Sequence, residues 1–481
     1  MIAMGPFGRV EGVCEETFHD PERPRTVRLS RPQVVAPVHA IPELRFEEQR
    51  LTSFAGLVIF QALFQRLRLK ERLASVVSTT RTVAYKPHNL ILMLVVHVLL
   101  GFRRLRERDF YRDDPIVQRV LGLQRLPDVS TWTRGLAEIT AADIDGVRTV
   151  NRELVLDRVR EERIHRVTAD FDGSVLSTRG HAEGSAIGFN RQRKGARSYY
   201  PLFCTVAQTG QFLDLLHRPG NVHDSRDALD FIEKCVEQLR ATGVREIETR
   251  MDGAFFSEDI AFKLVELKVR FSISLPFERF PELKKMIEAR KTWHRIDATW
   301  SYADLGWRPK SWPGGFRVLA IRRKTPTPRK GPMQLDLFQP RDYEFDFRVI
   351  LTNKVVEDAE VVMDFHHGRG TQEGVIGEAK SCAHLDYIPA RRLVVNQAFT
   401  LASMLAHNLG RELQMSAEPR TNRDTSTRAA RWPFKTLHTI RHVVLRAGRL
   451  TRPEGKLTLT MSGNSAVASE VLRFVHAARA A

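Results

Sequence analysis

The chain has 481 residues, 75 of them Lys or Arg and 57 Asp or Glu, giving a formal net charge of +18 at neutral pH. With 42% hydrophobic and 27% charged residues, this is the composition of a folded protein, and at about 100–200 residues per domain it predicts two to four domains. The charge excess predicts a polyanionic partner, of which nucleic acid is the usual one, while four scattered cysteines without a CxxC pair exclude a disulfide framework and a zinc ribbon and fit a reducing cytosol.

Residues 1–50 are rich in Pro and Arg and weakly patterned, which predicts an extended lead-in; they hold no continuous apolar h-region, so no secretory signal is expected. Residues 51–160 read as a helical, DNA-binding region. Leu57, Phe60, Leu63, Phe64 and Leu67 recur at helical spacing among Arg66, Arg68, Lys70 and Arg72. The apolar run from Leu90 to Phe102 is broken by His97 and Gly101 and is shorter than the ~20 residues a bilayer span needs, so it predicts a buried helix and no membrane partner. A very basic stretch follows from Phe102. Asp128 to Arg134 then reads as a capped helix start, compatible with a DNA-reading helix or with an ordinary bundle helix.

Residues 161–282 change texture. An apolar strand with Val167, Ala169 and Phe171 carries Asp170 and Asp172 on one face. Tyr199–Val206 and Gln211–Leu216 form a hairpin across Thr209-Gly210. Ser225–Leu239 is an amphipathic helix, and Arg245–Arg250 is a strand running into Asp252. A helix (Glu258–Leu267) and a strand (Arg270–Leu275) follow. Three antiparallel strands, then alternating helix and strand, is the mixed α/β order of an RNase H-like sheet. Residues 283–355 are β-rich and aromatic, with Tyr343, Phe345, Phe347, Val349 and Leu351 alternating against Glu344, Asp346 and Arg348; they predict a β insertion domain, with Thr325–Pro332 as a loop. Residues 356–415 return to helix, from Asp364 through Lys380 and again from Asn396 to Leu413, as the second part of the core. Residues 416–481 form a basic C-terminal region whose segment 456–476 predicts a strand and a last helix.

Carboxylates at strand ends are costly unless a cation compensates them. Asp172, before Gly173-Ser174, and Asp252, before Gly253, therefore predict a divalent ion held by oxygen ligands, for which Mg²⁺ is suited. Glu373 shares a helical stripe with Arg369 and Lys380, placing a third ligand between two phosphate-binding cations. Asp170 shares the face of Asp172 and is a second candidate for the ligand or a supporting role. Ser174 and Ser185 lack a His partner at a recognisable spacing, so a serine hydrolase is not expected. Adjacent His366 and His367 point apart on a helix, which disfavours a shared ion with Asp364. Trp132, Trp293, Trp300 and Trp307 suit either base stacking or a core.

Taken in order, Asp172-Gly-Ser, Arg218-Pro-Gly-Asn221-Val-His-Asp224, Arg250-Met-Asp252-Gly-Ala-Phe-Phe256 and Arg369-Gly-Thr-Gln-Glu373 resemble the landmarks of DDE insertion-sequence transposases, in the branch with a β insertion before the glutamate. Asn396–Asn408 and Asp114–Thr131 resemble that branch too. The resemblance spans roughly residues 50–450. It implies an RNase H-like core in which Asp172, Asp252 and Glu373 are catalytic and bind two Mg²⁺ ions, Mn²⁺ serving as a substitute, with Arg369 and Lys380 on DNA phosphates. It further implies double-stranded element-end and target DNA as partners, a homodimer in the synaptic complex, and action in the bacterial cytoplasm at the nucleoid. Two positions depart from the family's pattern: His366 stands where a Tyr is usual and Gly374 where an Asn is usual. A nuclease of the same fold, or a DNA-binding derivative without activity, are the alternatives.

Overall fold

The computed structural model describes residues 48–481 apart from 49, 78–82, 179, 191–192, 224–225, 310–311, 313, 325–344, 420–431 and 481. Nearly all of the lead-in, the 325–332 loop, Asp224 and the arginine-rich stretch after Pro419 lie outside the described residues.

Helices α1 (Val58–Arg66), α2 (Leu69–Val76), α3 (Pro87–Leu99), α4 (Pro115–Leu121), α5 (Val129–Ala137) and α6 (Ala141–Glu161) build the N-terminal part. Pro87 opens α3 at a position where its missing N–H costs nothing, and every residue from Leu90 to Leu99 is buried, as the uninterrupted apolar run demands. Asp114, Asp128 and Thr140 cap α4, α5 and α6 through their side chains. The α5 helix expected either to read DNA or to pack does pack on one side: Trp132 is fully buried and donates from Nε1 to the Leu90 carbonyl at 3.2 Å.

The nine strands β1 (Arg166–Gly173), β2 (Leu202–Val206), β3 (Gln211–Leu216), β4 (Glu246–Met251), β5 (Arg270–Ser274), β6 (His294–Arg295), β7 (Trp300–Leu305), β8 (Arg317–Lys324) and β9 (Phe345–Thr352) form one sheet in the order β6-β7-β8-β9-β5-β4-β1-β2-β3. Within it, β1, β2 and β3 are antiparallel neighbours, while β4 and β5 run parallel to β1. The β3–β4 and β4–β5 connections carry α7 (Ala228–Arg240) and α8 (Glu258–Glu266). The order β5-β4-β1-β2-β3 is the RNase H-like arrangement expected from the element pattern. The strands of the β-rich segment do not form a sheet of their own. After α9 (Pro281–Ala289), β9 returns antiparallel to β5, pairing Ile350 with Ser274 and Thr352 with Ser272, so β6–β9 extend the core sheet. The alternation along β9 holds over Phe345–Arg348 and gives way to burial on both faces over Val349–Thr352, where the strand enters the sheet.

After β9 come α10 (Ala359–His367), α11 (Gly370–Cys382), α12 (Leu393–Ala417), α13 (Leu437–Val444) and α14 (Ser465–Ala480). Apolar residues of α11 to α14 share a core with those of α1 to α6, so the N-terminal helices are completed by the end of the chain. The strand Leu51–Thr52 likewise pairs with Gly448–Arg449. Helix α12 is buried almost throughout. Two of its buried polar residues tie it to neighbouring elements: Asn408 accepts from Phe212 N–H at 2.8 Å and donates to the Asn151 amide oxygen and the Phe212 carbonyl, and Glu412 is held by Arg66 and Arg158.

His97 on α3, beside the Tyr111 hydroxyl at 2.8 Å, and His407 on α12, beside the Gly210 carbonyl at 2.9 Å, are each pushed down to about 3 by burial. Unfolded histidine binds a proton near pH 6.5, so stability is complete above that pH and is lost as pH falls toward 3, at about 1.4 kcal/mol per pH unit for each residue. Urea midpoints should drop steadily below about pH 6.5. Replacing His407 with Gln should flatten that slope by one histidine's share.

Candidate active site

The site starts from the register of two parallel strands. Asp170 on β1 faces Arg250 on β4, and residues two further along each strand project on the same side. Those residues are Asp172 and Asp252. The backbone is still extended at Asp252, whose Oδ1 accepts from the Ala254 N–H at 2.9 Å and so turns the chain out of the sheet. Both aspartates are half-buried. Asp170 is buried and commits both oxygens to Arg250: Nε donates to Oδ1 and Nη2 to Oδ2, each at 2.6 Å, with both side chains 1% exposed.

The sequence pattern predicts one helix from Asp364 to Lys380. The structure breaks it at Gly368-Arg369, between α10 and α11. Arg250 explains the break: its Nη1 donates to the Phe365 carbonyl at 3.2 Å, and a Cβ on Gly368 would lie 1.8 Å from that nitrogen. Two further contacts fasten the broken helix to the sheet. The His366 ring sits between Ser272 and Ser274 of β5, with Nδ1 and Nε2 each 2.9 Å from a hydroxyl. Burial pushes His366 down to about 3, so the ring is neutral, and both nitrogens are occupied within the protein. Gln372 donates from Nε2 to the Asp170 carbonyl at 2.7 Å. The end of α10 is thereby bound to β4 and β5, and the start of α11 to β1, at the ends where Asp172 and Asp252 emerge.

Glu373 is on this first turn, largely exposed, with Arg369 Nη2 2.7 Å from Oε1. It lines a cleft of about 540 Å³ whose wall also includes Gly253, Ser274, Trp300, Arg323 and Arg348. Lys380, two turns on, lies beside Asp172, with Nζ 3.4 Å from the Val175 carbonyl. Burial holds its ammonium below the usual lysine range, opposed by the carboxylates of Asp386 and Asp172. The structure thus places Asp172 and Asp252 on one face of adjacent strands and Lys380 against the Val175 carbonyl, three residues after Asp172, and it turns Glu373 to Arg369. Among the described residues no three His, Cys, Asp or Glu side chains are grouped closely enough to hold a metal ion. The donor chemistry of the two aspartates and Glu373, oxygen only, suits a hard divalent cation.

Sequence reasoning did not single out Arg250, Gln372, Ser272 and Ser274, the residues that hold this frame. Their partners are 80 to 202 positions away, and no local pattern announces such pairs. The visible signal was Gly368, a glycine inside a helical stretch, which marks a close approach. Breaking a buried ion pair from one side costs about 3–5 kcal/mol, whereas an apolar replacement of both partners is often tolerated. Arg250→Met alone should therefore destabilise the fold by about that amount in guanidinium denaturation, and Asp170→Leu added to it should recover most of the loss. Gly368→Ala should cost a comparable amount through the clash with Arg250.

Residues 42–480 match the family model described as Transposase DDE domain group 1. No curated protein matches the chain. Among solved structures, a piggyBac transposase synaptic complex with hairpin DNA aligns at 12% identity over 88% of this chain and 84% of that one, with a TM-score of 0.42. A Mos1 transposase paired-end complex with the left transposon end aligns at 10% identity over 40% of this chain and 60% of that one, with a TM-score of 0.17. On the family match, which takes in nearly the whole sequence, the chain belongs to the DDE transposases.

Proposed function

We propose that this is the transposase of an insertion sequence, which binds the element's terminal inverted repeats and catalyses divalent-metal-dependent strand cleavage followed by 3′-OH strand transfer. The observation that supports the reading is the fastening of α10, through Arg250 and His366, and of the Glu373 helix, through Gln372, to the strand ends that bear Asp172 and Asp252. Asp172, Asp252 and Glu373 are the residues that would hold two Mg²⁺ ions, with Mn²⁺ able to replace them. Bound there, such ions supply activation of a water or a DNA 3′-hydroxyl and stabilisation of the leaving oxygen in an in-line displacement. The chain's own cations do the rest. Lys380, half-buried beside Asp172, holds the phosphate next to the scissile one, and Arg369, which neutralises Glu373 in this structure, contacts the DNA backbone once a strand lies in the cleft. Asp170, with both oxygens on Arg250, has a positioning role.

Duplex DNA at the element's ends and at the target are the partners. Joining two ends in one reaction calls for at least a dimer on DNA. None of the described helices is long and apolar enough to cross a membrane, and the place of action we assign is the bacterial cytoplasm, at the nucleoid. The ion pair of Glu373 with Arg369 favours one second reading, a derivative that binds DNA without cutting it.

The test uses DNA carrying the sequences that flank the coding region, with Mg²⁺. Asp172→Asn, Asp252→Asn and Glu373→Gln should each lower cleavage at least about 1,000-fold while leaving DNA binding within a few-fold of wild type. If wild type and Asp252→Asn behave alike, the silent derivative is the correct reading. Cleavage without any 3′-joined product would instead identify a nuclease.

A further inference from the structure

Outside the cleft, the described surface has an aromatic ring that packing does not account for. Phe110 is 75% exposed and lies flat against half-buried Phe102, with ring centroids 6.0 Å apart and planes 10° from parallel. At that separation the two rings overlap little, and most of Phe110 is open to solvent. Phe102 is itself braced by Phe54, His97 and Tyr111. The turn that presents Phe110 is rigidly tied. Glu107 accepts from the Arg103 and Arg104 N–H groups at 2.8 and 2.9 Å, and buried Arg108 donates to the Pro127 and Leu126 carbonyls. In the same stretch of chain Arg103, Arg104, Arg106 and Arg112 are exposed, as are Asp109 and Asp113, and Arg112 is paired with Asp113 at 2.7 Å.

This surface reaches the segment that follows α11. Arg103 lies 3.7 Å from Asp386 and over the Tyr387 ring at 4.9 Å, and His384 meets the Gly101 carbonyl at 3.0 Å. Asp386 in turn acts on Lys380, the cation beside Asp172. An open aromatic face among arginines matches the combination that binds unpaired nucleotides: cations follow the phosphates and the ring stacks on a base without regard to its identity. Paired DNA offers its bases no such contact.

We propose that Phe110, with Arg104 and Arg106, is a DNA-binding platform on which Phe110 stacks against an unpaired base of the strand leading to the cleft. This rests on the transposase reading and adds a contact to it. The experiment measures binding of the full chain, by fluorescence anisotropy, to a duplex of arbitrary sequence and to the same duplex with a short unpaired stretch. Phe110→Ala should weaken binding of the unpaired probe about 5- to 100-fold and leave the paired duplex within about twofold, while Phe110→Trp should retain both. Arg104→Ala and Arg106→Ala should weaken both probes and reduce the salt dependence by about one counterion each. Equal effects of Phe110→Ala on the two probes, or none on either, overturn the platform. If wild type binds neither probe, the transposase reading itself falls; if it binds both regardless of these substitutions, only the platform does.

Discussion

The pairing of Asp170 with Arg250 is the interaction on which the rest of the site depends. An arginine and an aspartate this deeply buried cannot each stand alone, because either charge without the other would be stranded in a medium that solvates it poorly. Arg250 meets that demand with two nitrogens and uses the third to hold the Phe365 carbonyl. One side chain thereby joins adjacent strands to a helix more than a hundred residues later in the chain. The geometry is restrictive: the guanidinium is planar, its fork fits a carboxylate on one side only, and the helix must pass close enough that residue 368 has no side chain. Lysine in place of Arg250 would supply the charge and lose the fork.

Around that pairing a single nine-stranded sheet carries the site. The strands between β5 and α10 lengthen the core sheet instead of standing apart, so the wall of the cleft formed by Trp300, Arg323 and Arg348 is carried on the same hydrogen-bonded lattice as the aspartates. Helix α12 is the corresponding element on the helical side. Its buried amides and carboxylates reach β3 through Asn408 and the helices α1 and α6 through Glu412. Sheet and helical layer are therefore locked by polar contacts of fixed geometry as well as by apolar burial.

What the sequence made legible follows from the range of each interaction. Asp172 and Asp252 stood out because an apolar strand ending in Asp-Gly is a local pattern, and Lys380 because helical spacing relates it to Glu373 and Arg369 over two turns. The five-strand order was readable from the sequence of elements, since hairpins and crossovers of ordinary length admit few arrangements. The extension of the sheet was not, because strand pairing between β9 and β5 is decided by edge availability rather than by either strand's own alternation. Nor was the role of Asp170. Its neighbour Asp172 presents the same face and the same chemistry, and only the partner across the register separates a carboxylate bound to Arg250 from one left at the rim. His366 was weighed as a metal ligand and turns out to be a neutral brace between two serines.

The pairing of residues 48–52 with residues 448–449 bears on the order of events during synthesis. Glu48 and Arg449 meet across 401 positions, and the helical core needs residues from Leu437 onward for completion. Nascent chains ordinarily consolidate from the N-terminus as they emerge, but here the first helices wait for the last. A polypeptide interrupted before α13 also lacks α14, whose packing covers α1, and so leaves an apolar face of α1 open to water.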